Sequence, residues 1–331
     1  MLILAGLGLV TWVAAGLYLY AHQPASAQSE PKPFSLASGE SFDHLTQRLH
    51  DEGLIRKPRQ FKWVARLRGN DKHLKAGEYR LAADMTPLQI LDVLVGGEVF
   101  LHVVTIPEGY TFKQIASELA RLGLADEQAF IDLASDPATV HDFGLEGETM
   151  EGYLFPDTYY FPKGLPAKSI MAKMVERFRQ QVPREWSQRA RQLGLSLYQV
   201  ITLASIIEKE TGDASERPLI SSVFHNRLKK HMRLESDPTV IYGIKNFDGN
   251  LTRKHLTTRT PYNTYTIRGL PKGPIANPGR DAIRAALYPA QTDFLFFVSK
   301  KDSTHHFSKT IEEHNRAVRK YQLRRRPKRK T

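Results

Sequence analysis

The chain has 331 residues, 41% hydrophobic and 25% charged, with a formal net charge of +12 and no cysteine. That length and balance support two or three hydrophobic cores and exclude a wholly disordered chain. The absence of cysteine excludes disulfides, thiolate metal sites and thiol nucleophiles, and it suits an exported bacterial protein, although cytosolic proteins also lack cysteine at times.

From Leu2 to Tyr20 no side chain is charged, and a helix of that length just crosses a bilayer. Trp12, Tyr18 and Tyr20 suit a membrane interface. An uncleaved anchor over 1–21 competes with a signal peptide ending at Ala25-Ser26-Ala27, and the apolar run, longer than a usual signal core, favours the anchor. No Lys or Arg precedes it, so the positive-inside rule has little to act on; a cytoplasmic N-terminus with an exported body is the preferred topology. Residues 22–33 are small, polar and Pro-rich, a linker by composition.

The globular part begins near Phe34 with an internal echo. Gly39-Glu-Ser-Phe42, Leu45, Leu49 and Gly53-Leu54 match Gly109-Tyr-Thr-Phe112, Ile115, Leu119 and Gly123-Leu124, each offset by 70 residues. In each copy a β-like stretch, Phe34 to Leu36 or Val103 to Ile106, reaches a Gly turn, and Ser41 or Thr111 stands where a helix N-cap belongs. A looser relative has a strand at Gly77 to Leu81 and a helix opened by Thr86-Pro87 and closed by Gly96-Gly97. This strand, turn and helix pattern resembles LysM-like modules, which bind N-acetylated glycans; a spacer without a ligand is the competing reading.

Residues 126–161 are helical and then break up at EGETMEGYLFPDTYYFP. Glu148, Glu151 and Asp157 there alternate with Tyr153, Phe155, Tyr159 and Tyr160, which describes either a sugar-binding cleft or a well-capped hairpin. Charged helices follow over 167–191, interrupted at Pro183.

The next stretch, LYQVITLASIIEKET from Leu197 to Thr211, is the most apolar outside the N-terminus. On a helix Leu197, Ile201, Ala204 and Glu208 fall within about 60° of one another, so Glu208 continues an apolar stripe while Glu210 points the opposite way. Leu203 and Ile206 make the other face apolar too, so the helix should be buried. A carboxyl in that setting is costly to ionise and becomes either half of a salt bridge, with Arg217 or Arg227 at hand, or a proton donor. Of the two glutamates, only Glu208 is expected to need a raised pKa.

Another Ser-capped helix is expected to run through VFHNRLKK, followed by a stretch dense in Pro, Gly, Asn and Tyr between Arg233 and Arg280, an ordered loop region where function tends to sit. A helix restarts at Asp281 to Ala286, Phe294 to Ser299 has strand composition, and an amphipathic helix near Thr310 to Tyr321 precedes the tail. That tail, RRRPKRKT, holds six positive charges. A solvated tail is the plain reading; anionic lipid or an acidic wall polymer would suit an exported body, and nucleic acid is not expected as a partner.

No phosphate-binding Gly-rich loop, HExxH or G-x-S-x-G run is present, which leaves no support for a nucleotide site, a zinc protease or a serine hydrolase elbow. His305-His306 are adjacent and diverge on most backbones, so no metal site is assigned. Acid/base chemistry by an enclosed carboxyl remains, since a Glu with an elevated pKa can protonate a leaving oxygen near neutrality. Glycoside hydrolases usually need a second carboxylate, for which Asp237, Glu151 and Asp157 are candidates.

Six blocks narrow this: EGYLFPDTY at 151–159, ASIIEKET at 204–211, SVFHNRL at 222–228, SDPTVIYG at 236–243, PYNTY at 261–265 and GLPKGPIANPG at 269–279. In content and order they resemble the MltG (YceG-like) endolytic murein transglycosylases, a likeness running from Phe34 to about Tyr321; the basic tail is not part of the family pattern. The resemblance implies cleavage of the β-1,4 bond between N-acetylmuramic acid and N-acetylglucosamine in nascent glycan strands, without water and without a cofactor. Glu208 falls on the family's catalytic Glu, while Glu151, Asn226, Asp237, Tyr262 and Asn263 match motif positions implied to orient the sugars. Peptidoglycan strands are the implied substrate and peptidoglycan synthases plausible partners, with the catalytic domain outside the bacterial inner membrane. A non-catalytic, membrane-anchored glycan-binding protein is the alternative.

The expected fold is α+β: a transmembrane anchor over 1–21, a linker over 22–33, a LysM-like module over 34–101, a second small α/β unit over 102–160, a mixed α/β catalytic domain over 161–322 around the buried Glu208 helix, and a basic tail over 323–331.

Overall fold

The computed structural model describes residues 2–37 and 39–323, the side chains of residues 1–10 excepted. Contacts divide the chain into two compact units, one of residues 1–103 and 160–165, the other of residues 104–159 and 166–331.

The first unit opens with α1 (Leu2–Ala21) and continues through β1 (Lys32–Leu36), α2 (Phe42–Asp51), α3 (Pro58–Leu67), β2 (Gly77–Leu81) and α4 (Pro87–Gly96). Strands β1 and β2 pair antiparallel, with Phe34 opposite Tyr79 and Leu36 opposite Gly77. Their inward side chains Phe34, Tyr79 and Leu81 meet Leu45, Leu49, Phe61, Ile90, Leu91 and Leu94 from the helices in one core, which also takes in Tyr20 and Ala21 at the end of α1. The anchor expected over 1–21 falls partly on the undescribed side chains of residues 1–10; among the described residues no helix is long and apolar enough to cross a membrane.

The turn chemistry read from the 70-residue echo is present in both copies. Ser41 Oγ caps α2 by accepting from the His44 amide. Thr111 caps α5 (Phe112–Arg121) in a reciprocal box with Gln114. Gly53 and Gly123 follow these helices at φ of 74° and 66°, a conformation costly for residues with a Cβ. The β3 strand (His102–Thr105) pairs with β4 (Thr158–Phe161).

The second unit is mainly helical. After α5 come α6 (Glu127–Ala134) and α7 (Pro137–Asp142), then α8 (Ala167–Gln181) and α9 (Arg184–Gln192), split at Pro183 as its ring requires. The central α10 spans Leu197–Glu210 and is capped by Ser196 and Gln199. Every residue from Val200 to Ile207 is buried, each large aliphatic among them worth about 1.5–3 kcal/mol of burial. This helix packs chiefly on α14 (Arg280–Leu287), with further contacts to α11 (Arg217–Lys229), α9 and α12 (Asp237–Tyr242). The loop-rich stretch after α11 is ordered, as expected, and also contains α12 and the short α13 (Arg253–Thr257).

Near the C-terminus β5 (Phe296–Ser299) pairs antiparallel with β6 (His305–Ser308), and α15 (Ile311–Tyr321) follows, capped by Thr310. The sequence reading has no counterpart to β6, because HHFS carries no apolar alternation; its pairing with β5 makes it a strand. The basic tail lies outside the described residues except for Leu323.

Candidate active site

Glu208 lies in the last turn of α10, which stops where Thr211 turns extended, at φ −140° and ψ 138°. Its side chain is only 6% exposed. Oε1 accepts from Arg217 Nη2 at 2.8 Å and Oε2 accepts from the Gly279 amide at 2.9 Å. Arg217 is the first residue of α11, brought back beside α10 by the turn in which Asp213 accepts from the Ser215 amide. Gly279 is the N-cap of α14, so its free amide is one of the donors a helix start leaves unpaired.

The same Arg217 Nη2 also donates to Glu108 Oε2 at 3.1 Å. Glu108 comes from the turn between β3 and α5, about a hundred residues away in sequence, and its side chain is 47% exposed. Among the described residues Arg217 Nε is buried and has no hydrogen-bond partner, which costs about 1–3 kcal/mol. The guanidinium thus spends one nitrogen on two carboxylates instead of forking onto one, the stronger geometry.

Two glycines allow this close approach. At Gly109 it is the backbone, at φ +77°, that calls for glycine, since a Cβ there would make only ordinary contact with Glu208 Cγ at 3.5 Å. A Cβ on Gly279 would lie 1.8 Å from Glu108 Oε1, so the Glu108 carboxyl occupies the space a side chain at 279 would need.

Burial pushes the Glu208 carboxyl above its usual pKa and the charge of Glu108 adds to that, while the Gly279 amide and Arg217 pull the other way without cancelling it. Of the two alternatives left open by the sequence, salt bridge or proton donor, the ion pair is present, and it leaves the proton affinity raised.

Glu210 faces away from Glu208, as the helical spacing requires, and accepts from Ser236 Oγ. The expectation that only Glu208 has a raised pKa is overturned, because burial lifts Glu210 to about 7. Its partner is a neutral hydroxyl, which offsets less of the desolvation than a full charge would.

Glu151 is completely buried. Its Oε1 accepts from the Phe112 amide at 3.0 Å and from Asn277 Nδ2 at 2.8 Å, and Oε2 accepts from Tyr242 Oη at 3.0 Å. Burial lifts it to about 8 against those bonds. Asn277 Oδ1 accepts from the Gly152 and Leu154 amides at 2.8 and 2.9 Å, its Nδ2 also donates to the Tyr110 carbonyl, and its own carbonyl accepts from the Gly109 amide. This network joins the turns carrying Glu108, Glu151 and Gly279.

The other motif residues are engaged in holding loops. Asn226 Nδ2 donates to the carbonyls of Thr292 and Phe294. Buried Asn263 donates to those of His255, Leu256 and Thr258. Asp237 is exposed and accepts from Tyr265 Oη at 2.7 Å. Tyr262 packs edge-on against Tyr242, with ring centroids 4.8 Å apart, and burial pushes its hydroxyl up to about 12. In the acid-aromatic stretch Tyr153, Phe155 and Tyr159 are buried while Tyr160 is exposed, Glu148 pairs with Lys272, and Asp157 pairs with Arg177. His305 Nδ1 bonds to Glu216 at 2.7 Å, and among the described residues no cluster is suited to a metal ion.

Sequence reasoning missed Glu108 and Asn277. The former occupies the position of the 70-residue echo where the first copy has Ser38, a difference that could have drawn attention to it.

The model of the YceG-like family matches residues 34–320. The chain belongs to the YceG-like family. A relative from Bacillus subtilis (strain 168), named endolytic murein transglycosylase, is 31% identical over 329 residues, spanning 93% of this chain and 91% of that protein. One of the same name from Streptococcus pneumoniae (serotype 2, strain D39) is 27% identical over 86% of this chain, which spans 57% of that longer protein. The crystal structure of a putative YceG-like protein from Listeria monocytogenes is 32% identical and superposes with a TM-score of 0.60, covering 88% of this chain and all of that one. The mixed α/β architecture is that of this YceG-like structure.

Proposed function

We propose that this YceG-like chain is an endolytic peptidoglycan lytic transglycosylase in which Glu208 is the proton donor. The observation that carries the reading is the enclosed Glu208 carboxyl with a raised proton affinity, held by one arginine and one backbone amide, in a chain whose relatives bear that activity in their names. The carboxyl protonates the glycosidic oxygen between the muramoyl and glucosaminyl residues. The resulting carboxylate then takes the proton of the muramoyl 6-hydroxyl as that oxygen attacks C1, which closes a 1,6-anhydro ring and returns the proton to Glu208. The substrate's own N-acetyl group stabilises the oxocarbenium-like centre, the substrate-assisted route that does without a carboxylate nucleophile.

Glu151 and Asn263 contribute by fixing the loops around the site, and Asn226 by tying α11 to the segment before β5. Tyr262 and Asp237 are assigned to orienting the sugars, a reading supported by their match to the family motif positions and by their exposure, partial at Tyr262. No metal or organic cofactor enters this scheme. The first unit serves as a LysM-like glycan-binding module, a reading supported by its antiparallel β1–β2 pair with α2 and α3 between. Residues 1–21 anchor the chain in the bacterial inner membrane with the catalytic unit in the wall space, as the charge-free run from Leu2 to Tyr20 suggests. Glycan strands are the substrate and peptidoglycan synthases are plausible partners.

Mass spectrometry of fragments released from purified glycan strands tests the reaction. Anhydro ends, each one water lighter than a reducing end, are expected; reducing ends would mean hydrolysis, and no cleavage at all would favour a glycan-binding protein.

A further inference from the structure

Glu108 and Glu208, a hundred residues apart in the second unit's sequence, reach the same Arg217 nitrogen at 3.1 and 2.8 Å. Oxygens so placed are no more than about 6 Å apart, close to the carboxyl separation of about 5–5.5 Å in retaining glycosidases. One carboxyl is enclosed and the other half-exposed, at 6% and 47%. The Glu108 carboxyl is also seated on Gly279, whose amide donates to Glu208. We propose that Glu108 is the second carboxylate of this site, a positioning residue that shares Arg217 with Glu208 and governs how far the guanidinium neutralises each.

The geometry has a direct electrostatic consequence. Two carboxylates on one cation cannot both be fully compensated, and the charge of Glu108 disfavours a second negative charge on the enclosed Glu208. Glu108 therefore draws Arg217 away from Glu208 and repels a negative charge there, and both effects favour the protonated Glu208 that donates to the glycosidic oxygen. The unpaired Arg217 Nε is consistent with a guanidinium pulled between two acceptors. The other groups facing Glu208 are fixed by their own bonds: the Gly279 amide is in place at the start of α14, and Lys209, on the same helix, donates to the Gly109 carbonyl. From α12, Asp237 acts on Glu210, on the far face of α10.

The proposal rests on Glu208 as the acid, so the test reads both. The rate of anhydro-end release from purified glycan strands is measured as kcat/KM against pH for the full chain, for Glu108→Gln and Glu108→Asp, and for Glu208→Gln as the control. Loss of the Glu108 charge hands Arg217 to Glu208, so the alkaline limb should move toward acid by about 0.5–1 pH unit, and Glu108→Asp should bring it back toward wild type. An alkaline limb that stays in place in Glu108→Gln overturns the proposal, even if the rate falls. A Glu108→Gln chain that fails to fold, read by thermal unfolding, overturns it as well by making the residue structural. Undiminished anhydro release by Glu208→Gln would instead remove the acid assignment beneath it.

Discussion

Glu208 and Glu210 leave α10 two residues apart and meet different surroundings. Burial raises the pKa of both, and Glu210 at about 7 has an affinity that would serve a general acid. Glu210, however, turns to a neutral hydroxyl on Ser236, whereas Glu208 turns to a guanidinium that a half-exposed carboxylate also holds. Fully buried Glu151 goes further still, at about 8, with both oxygens engaged by the protein. Elevated proton affinity alone therefore does not mark the acid in this unit. What sets Glu208 apart is a direct bond to a guanidinium that a second, half-exposed carboxylate also holds.

The widest contrast is between Glu208 and the network at Glu151. Replacing Glu151 by Ala strands the Phe112 amide, Asn277 Nδ2 and the Tyr242 hydroxyl in a dry site, and should destabilise the chain by about 4 kcal/mol in denaturant unfolding. Glu151→Gln, which keeps both arms of the side chain, should retain most of that stability near neutral pH. Equal losses in the two variants would show that the network is not what Glu151 holds together.

The raised carboxyls also set the pH dependence of stability. A group whose pKa is higher folded than unfolded binds its proton more tightly in the folded chain, so its stabilisation is complete below the unfolded value and is lost as pH rises through the folded one. For Glu151 and Glu210 that window runs from about pH 4.5 to 8, and each group should take away on the order of 3–5 kcal/mol of stability across it. Thermal unfolding against pH should show a flatter decline in Glu151→Gln; an unchanged slope would mean that Glu151 does not titrate in this range.

A smaller effect separates seating from charge. Ala at Gly279 would place its Cβ on the Glu108 carboxyl, the flexible end of a half-exposed side chain that can swing away. Activity should fall about tenfold, roughly 1.4 kcal/mol of barrier, while the melting temperature hardly moves. A large stability loss with the same drop in activity would point to damage at the start of α14 instead.

Much of the local structure was legible because its causes are local. Ser196, Thr111 and Thr86 each stand three residues before a Gln, and all three form reciprocal capping boxes. The apolar run after Ser196 is the buried α10, and the Gly77 to Leu81 strand has the bounds its residues imply. Glu208 was legible as a carboxyl continuing an apolar face. Its surroundings were not, since Glu108 and Gly279 come to it on turns about 70 to 100 residues away, which Asn277 ties together. Nor could spacing reveal that Glu210 is enclosed by α12, because helical periodicity gives the direction of a side chain and not what meets it there.

The most direct test of the central claim puts Glu208→Gln and Glu210→Gln side by side on the same purified glycan strands, with anhydro ends counted by mass spectrometry. Glu208→Gln should lose about 10²–10⁴-fold in rate, the usual worth of a positioned acid/base, while Glu210→Gln loses less than about tenfold. Equal loss in both variants, or anhydro ends released undiminished by Glu208→Gln, would contradict the account.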